Sequence, residues 1–398
     1  MYFDNNATTR PCDAAVEAMN RASRELWHNP SSVHKAGQGV RHAVEVARAD
    51  VARVLKVKPR ECTFVSGGTE GLDMALRGLL ALTKSESKPV LLTSRVEHAA
   101  IRDLAEWLEK SGAATVHWMP LDDAGVVDAV ATAELMERIK PSVVALQWAN
   151  NETGVVQPVR AVGLACRKAN AKMVIDGTQW VGKCEVDDDL SAFADVLVCS
   201  AHKFHGCKGC GIVWARQGVR MRPALLGTQE LGQRGGTENV PAILAAGAAA
   251  TSINLEASAT VSQMRDWLEA EVVRGVAERA PGLRVVVNRP REATMMDAGV
   301  QRPSRLWNTT NIGFATLEAE ALLIAMSERG VMASAGAACS SGSLEPSPVL
   351  LAMGVAPEVA HGSIRLSLSR ETTWEEVRRG AQVIVDVVAR VGASMPRA

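Results

Sequence analysis

The sequence predicts an α/β protein, in which a large, mostly parallel sheet covered by helices is followed by a smaller α+β unit. Three observations predict it. Over the first two-thirds of the chain, short apolar runs alternate with helical repeats, the pattern of strand–helix–strand units. Near residue 250 this alternation gives way to a long helical stretch and then to scattered short strands. Finally, 398 residues that are 47% hydrophobic and 22% charged suffice for two or three domains with substantial cores.

The elements follow in order. The start, MYFDNNATTR, has neither the basic-then-apolar order of a secretory signal nor the Arg-rich amphipathic pattern of a transit peptide. Val40, Val44, Ala47, Val51 and Val54 step by three or four and mark one helix face. Residues 63–65 form a short apolar stretch, and 90–93, 142–148, 172–175, 196–199 and 212–214 read as buried strands. Val162, Ala165, Cys166 and Ala169 mark another helix. The apolar run 241–250 is rich in small residues and too short to span a bilayer. Beyond it the pattern predicts one long helix over 252–280, strands at 284–287 and 310–314, and a helix at 318–327. A Gly/Ala/Ser-rich segment follows at 334–343, then a strand at 364–368. Thr372-Thr-Trp-Glu375 has capping-box spacing and opens a last helix. The domains are therefore expected at 1–251 and 252–398, with roughly the first 14 residues packing with the smaller one.

Lys+Arg and Asp+Glu are both 44, so no net field gathers phosphate backbones, which argues against general nucleic-acid binding. Eight scattered cysteines in a chain this long are not a disulfide framework, and a cytoplasmic protein is expected.

Several motifs could carry chemistry. Ser66-Gly-Gly-Thr-Glu-Gly71 joins an apolar stretch to the helical pattern Leu72, Ala75, Leu76 and Leu79. A glycine-rich turn at a helix start leaves N–H groups free for a phosphate, and Thr69 adds a hydroxyl. Ser200-Ala-His-Lys203 directly follows a strand, and a partly desolvated lysine there can form a Schiff base. Asp176 ends a strand and opens Asp176-Gly-Thr-Gln179, where a carboxylate suits a cationic ring nitrogen. His98 and Asn150-Asn-Glu-Thr-Gly154 also lie just past strands. Each alone reads as an ordinary turn, a surface lysine or a structural histidine. Together they project to one edge of one sheet. Phosphate site, aspartate, lysine and histidine are the parts that pyridoxal phosphate (PLP) requires.

With these residues in view, the sequence resembles the cysteine desulfurases of the NifS/IscS type, within the aminotransferase class V family of PLP enzymes. The resemblance runs from Asp4-Asn-Asn-Ala-Thr-Thr9 to the region of Arg370. It rests on SGGTEG at 66–71, VEH at 96–98, NNETG at 150–154, SAHK at 200–203, RGGTEN at 234–239, and the stretch from Ala338-Cys339 to Leu344-Glu-Pro-Ser347. It implies a fold-type-I, aspartate aminotransferase-like enzyme. Lys203 matches the Schiff-base lysine, Asp176 the partner of the pyridine nitrogen, and Gln179 the group facing the ring hydroxyl. His98 matches the histidine that stacks on the ring and handles protons. Thr69, Ser200 and His202 match the phosphate ligands, with Gly68 in the same turn. Thr237 matches the threonine that reaches a neighbouring subunit's phosphate, which implies a homodimer. Asn151 and Arg365 match the holders of the substrate carboxylate, work for which a planar guanidinium fork is apt. Cys339 matches the thiol that takes sulfur from L-cysteine, leaving L-alanine and a persulfide. Its small-residue segment is expected to be a mobile loop, of the longer NifS/IscS kind. The family supplies sulfur to acceptor proteins in iron–sulfur cluster or thio-cofactor biosynthesis; the sequence does not identify the acceptor. Two rival readings are a selenocysteine lyase, which has a similar Ser-Pro-Val-Leu-Leu run (here 347–351), and a sulfur-relay or scaffold protein on a PLP fold.

One stretch departs from the family. In His205-Gly-Cys-Lys-Gly-Cys-Gly211, Cys207 stands where proline is usual and makes a Cys-x-x-Cys pair with Cys210. Three readings compete: a packed turn, half of a metal site with His205 as a third ligand, or a redox pair. A zinc site normally takes four ligands, so the packed turn is the reading adopted, with no metal expected.

Overall fold

The computed structural model describes residues 1–83, 88–335 and 345–394. Seven strands form the large sheet: β1 (Cys62–Val65), β2 (Val90–Thr93), β3 (Thr115–Trp118), β4 (Val143–Gln147), β5 (Lys172–Asp176), β6 (Val196–Ser200) and β7 (Gly211–Ala215). Their order is β1-β7-β6-β5-β4-β2-β3. Strands β2 to β6 run parallel, and β7 pairs antiparallel with both β6 and β1. The central strands read as continuous apolar runs because both faces are covered.

Eight helices accompany this sheet: α1 (Asp13–Glu25), α2 (Lys35–Leu55), α3 (Gly68–Leu80), α4 (Ala99–Lys110), α5 (Ala129–Ile139), α6 (Val159–Lys168), α7 (Leu190–Phe193) and α8 (Val240–Thr251). The period-2 alternation of the strands divides the core. Leu91, Val174 and Val198 pack with Leu76 of α3 and Ile101 of α4. Their chain neighbours Leu92, Ile175 and Leu197 face the opposite way, toward Val44 of α2, Cys166 of α6 and Ile243 of α8. Two glycines set helix approach. A Cβ on Gly71 would stand 2.7 Å from Val198 Cγ1, so only glycine lets α3 lie this close to the sheet. A Cβ on Gly247 would stand 2.8 Å from the Cβ of Ala47, which explains why the apolar run of α8 is built of small residues.

The second sheet has the order β12-β13-β11-β8, all antiparallel, from β8 (Val285–Val287), β11 (Thr309–Phe314), β12 (Ser334–Ala335) and β13 (Ser363–Ser367). Helices α9 (Ser258–Arg279), α10 (Ala319–Glu328) and α13 (Trp374–Ser394) close its core around Val272, Ile312, Phe314, Leu366 and Ile384. Short helices α11 (Pro348–Ala352) and α12 (Pro357–His361) lead into β13. The N-terminal residues join this unit. Phe3 is in its core, and Tyr2 and Asp4 bridge to Met332 and Ser367.

Three differences from the sequence reading have local causes. The helix expected over 252–280 begins only at Ser258, because Asn254 turns the chain by accepting from the Glu256 N–H at 2.8 Å. The capping box is one residue later than expected, with Thr373 and Glu376 each taking the other's backbone N–H. A hairpin, β9 (Thr294–Asp297) and β10 (Val300–Pro303), was not anticipated. It reaches the large sheet's helices, where Asp297 accepts from the N–H groups of Arg160 and Ala161 at the start of α6. Of the small-residue segment, Ser334 and Ala335 form β12. Cys339 and the rest of 336–344 lie outside the described residues. Among the described residues, no helix is long and apolar enough to cross a membrane.

Candidate active site

In a parallel sheet the C-terminal strand ends share one edge, and here β2, β4, β5 and β6 deliver their polar residues to it. Strand β6 ends at Ser200, and a single 3₁₀ turn carries the chain to Lys203. The Lys203 amine donates to the carbonyls of Asn6 at 2.6 Å and Ala7 at 2.8 Å. After β5, the Gln179 amide donates to the same Asn6 carbonyl at 3.0 Å. Asp176, buried at the end of β5, accepts from the Thr178 N–H at 2.9 Å.

His98 caps α4: its Nδ1 accepts from the Ala100 N–H at 3.1 Å. The neutral ring therefore carries its proton on Nε2, a tautomer inferred from that bond. Burial pushes the His98 pKa down; the Asp176 carboxylate opposes this and the Lys203 ammonium adds to it. The three groups thus share one electrostatic neighbourhood.

The glycine-rich turn forms the other wall. Helix α3 starts at Gly68, where its first N–H groups lack intrahelical partners. A Cβ on Gly68 would meet Thr178 Oγ1 at 3.2 Å and the Cβ of Ser200 at 3.7 Å. The buried Ser200 hydroxyl has no hydrogen-bond partner. Such an orphan costs on the order of 1–3 kcal/mol unless a ligand takes it up. Nδ1 of His202 lies 3.1 Å from Thr8 Oγ1. Burial, then Lys203 and Lys208, push the His202 pKa down to about 4, so the ring is neutral near neutrality. Thr69 is exposed on the first turn of α3. Thr237 stands apart, exposed on the loop before α8, whose Arg234 pairs with Glu70 of the glycine-rich turn at 2.8 Å.

Arg365, in β13 and 1% exposed, closes the site from the smaller sheet. It donates to Asp4 Oδ1 at 2.6 Å and to the Asn151 carbonyl at 3.1 Å, while its Nε is buried without a partner. The same Asn151 carbonyl accepts from Asn6 Nδ2 at 3.1 Å. A hydrogen-bonded chain therefore runs from Lys203 through Asn6 to Asn151 and Arg365. The groups present fit PLP and a carboxylate substrate: an open glycine turn and an orphaned hydroxyl for phosphate, an aspartate acceptor and a lysine for the ring, and an unused guanidinium N–H.

Four residues escaped sequence reasoning. Asn6 lies in the N-terminal polar run, which carries no signal of reaching the sheet edge. Thr178 stands between Asp176 and Gln179, and only the fold sets it against Gly68. Lys183, four residues after Gln179, lies in none of the motifs above and is 5% exposed. Glu97, beside His98, accepts from Ser94 Oγ at 2.6 Å and the Gln147 N–H at 2.8 Å, and burial pushes its pKa up to about 8. The Ser-Pro-Val-Leu-Leu run has a structural explanation. Ser347 caps α11, with Pro348 at the first helical position, and donates to buried Glu152 at 2.5 Å. Cys207 and Cys210 are both buried, and burial raises both thiol pKa values. Nδ1 of His205 lies 2.9 Å from the Arg10 carbonyl. Among the described residues, no three His, Cys, Asp or Glu side chains gather as a metal ion would require.

Residues 1–379 match the aminotransferase class-V family. Cysteine desulfurase 2 of Trichormus variabilis is 40% identical over 399 residues, covering 100% of this chain and 95% of that protein. A solved NifS-like protein superposes with a TM-score of 0.85 at 33% identity, covering 98% of this chain and 99% of the other. The structure described as SspA in complex with cysteine superposes with a TM-score of 0.77 at 27% identity, covering 94% and 99%.

Proposed function

The chain belongs to the aminotransferase class-V family, among its cysteine desulfurases, and from that premise we propose how it turns L-cysteine into L-alanine and a persulfide on Cys339. The observation that carries this reading is the chain of hydrogen bonds from Lys203 to Arg365, with the orphaned Ser200 hydroxyl three residues before the lysine.

Lys203 would hold PLP, Asp176 would take its ring N–H, Gln179 would serve its ring oxygen and His98 would stand beside the ring. Gly68, Thr69, Ser200 and His202 would hold the phosphate. When bound, the group supplies an electron sink that acidifies the substrate's α-carbon. Arg365 orients the substrate carboxylate through the guanidinium edge that includes its unpaired Nε, and Asn151 borders the same spot. Lys203 is the base that moves the α-proton. Neutral His98 has its Nδ1 engaged by Ala100, so it presents an Nε2–H and acts as a donor. The Cys339 thiolate attacks the substrate sulfur. The C–S bond breaks, its electron pair stays with carbon and is protonated, and the sulfur remains on Cys339. A free thiol has a pKa of about 8.5, so this attack relies on a local thiolate fraction. The persulfide then passes to a sulfur-accepting protein or small thiol.

A second copy of the chain completes the site. Thr237 lies on a loop that also exposes Leu226 and Leu231, 85% and 78% accessible, and Trp27 is 71% accessible. Exposed apolar groups of this kind suit a protein interface.

The test is to incubate the protein with L-cysteine and measure alanine together with persulfide at Cys339 by mass spectrometry. Cys339→Ser should retain bound cofactor and its spectral response to L-cysteine while alanine falls by orders of magnitude. Undiminished alanine in that variant rules Cys339 out. Turnover of selenocysteine alone assigns the chain to selenocysteine lyase chemistry.

A further inference from the structure

Lys183 is buried inside the site, and nothing in the mechanism above uses it. The tight turn through Gly182, with φ of +82°, brings its amine back toward Gln179. Its Nζ donates to Gln179 Oε1 at 2.5 Å and to Asn6 Oδ1 at 2.7 Å. Both partners are neutral amide oxygens. Burial, followed by the nearby Lys203 and Arg365 cations, holds the amine well below the usual lysine range. What Lys183 contributes in both contacts is a hydrogen-bond donor.

Donors matter because the two ends of a glutamine amide are nearly the same size, and their neighbours decide which way it faces. Gln179 sits between two neighbours of opposite kind. On one side is the Asn6 carbonyl, an acceptor only, which takes Nε2–H at 3.0 Å. On the other is the Lys183 amine, which donates to Oε1. Flipping the amide would set oxygen against oxygen and N–H against N–H, losing two buried hydrogen bonds at once. The far end of this lock is itself fixed. Asn6 Nδ2 is engaged by the Asn151 carbonyl and Thr309 Oγ1, and Asn6 Oδ1 also accepts from Asn308 at 3.2 Å.

We propose that Lys183 is a positioning residue that locks the Gln179 amide so that its second N–H is presented to the ring oxygen of bound PLP. The proposal rests on the reading that Gln179 faces that oxygen. A donor aimed at the ring oxygen stabilises the form in which the oxygen is anionic and the lysine–cofactor linkage has lost its proton. With Lys183 removed, the amide is free to turn its own oxygen toward the ring. The linkage then keeps its proton to higher pH.

The test is a pH titration of the visible absorption of the resting holoenzyme, without substrate, in four proteins: wild type, Lys183→Met, Gln179→Leu and the double variant. Lys183→Met should raise the titration midpoint by about one pH unit, as should Gln179→Leu. The double variant should show no further rise, because Lys183 acts only through Gln179. Lys183→Leu, of a different shape, serves in the same scheme should the methionine variant fail to fold. If Gln179→Leu moves the midpoint and the Lys183 variants do not, the positioning role is overturned. Shifts that add in the double variant also overturn it, since Lys183 would then act on the ring directly. If Gln179→Leu leaves the midpoint unmoved, the placement of Gln179 fails, and the inference fails with it.

Discussion

Two neighbouring lysines of the site differ in what they touch. Lys203 donates to two backbone carbonyls, whereas Lys183 donates to two side-chain amides. Lys203→Ala should abolish the visible absorption of the lysine-bound cofactor and reduce turnover by orders of magnitude, as read by absorbance and alanine release. Persistence of that absorption would point to buried Lys183 before exposed Lys208. Glu97 allows a pH test. Its pKa is raised from the ordinary 4.5 to about 8 by burial, so the folded state binds this proton more tightly than the unfolded chain does. Its contribution to stability is therefore complete at low pH and is lost as pH rises through that window, at up to about 1.4 kcal/mol per pH unit. Glu97→Gln should remove this decline, so urea titrations at several pH values should give diverging stabilities for wild type and variant above about pH 5. Parallel curves would show that Glu97 is ionised in the folded protein.

Single elements are held in place by buried polar anchors. The loop that carries Thr237 contains three consecutive left-handed residues, Glu230, Leu231 and Gly232, at φ of 47°, 57° and 77°. For a non-glycine residue this conformation costs on the order of 1–2 kcal/mol. The Glu230 carboxylate offsets that cost. It receives both ends of the Arg48 guanidinium, at 2.6 and 2.9 Å, and the Phe64 N–H at 2.8 Å. Glu230→Ala would take away the buried partner of Arg48, leaving it the half-exposed Glu45 and the Cys62 carbonyl, and should lower stability by about 3 kcal/mol in urea unfolding. The double variant Arg48→Met with Glu230→Leu should recover much of that loss. A single variant as stable as wild type would show that the loop relaxes without its anchor.

At the scale of the whole molecule, two units share one site. We propose 1–251 and 252–398 as the domains; the N-terminal residues bridge to the smaller sheet's unit, and the 294–303 hairpin leans on the larger sheet's helices. A second copy would cover the loop that exposes Leu226 and Leu231. Analytical ultracentrifugation at micromolar concentration should show a dimer. Leu226→Asp with Leu231→Asp should shift it toward monomer and reduce activity in step, since Thr237 would lose its neighbour. A fully active monomer would overturn this assembly.

The sequence by itself determined the strand–helix alternation, the sheet edge at which the motifs collect, and the family. These are local or periodic properties: apolar runs of fixed length, a glycine-rich turn before a helix, a lysine just past a strand. Asp176, His98, Lys203 and Ser200 were legible because each ends a strand or lies within a few residues of a strand's end. Only the tertiary structure decided what they touch. Asn6 is 197 residues from Lys203 yet accepts its proton, because the N-terminal segment runs along the seam between the sheets. Asp4 holds Arg365 for the same reason. Lys183 carries no local sign of its burial, because burial depends on neighbours that arrive from elsewhere in the chain. Its two acceptors show the contrast: Gln179 is four residues away and local, whereas Asn6 is 177 residues away and supplied by the fold.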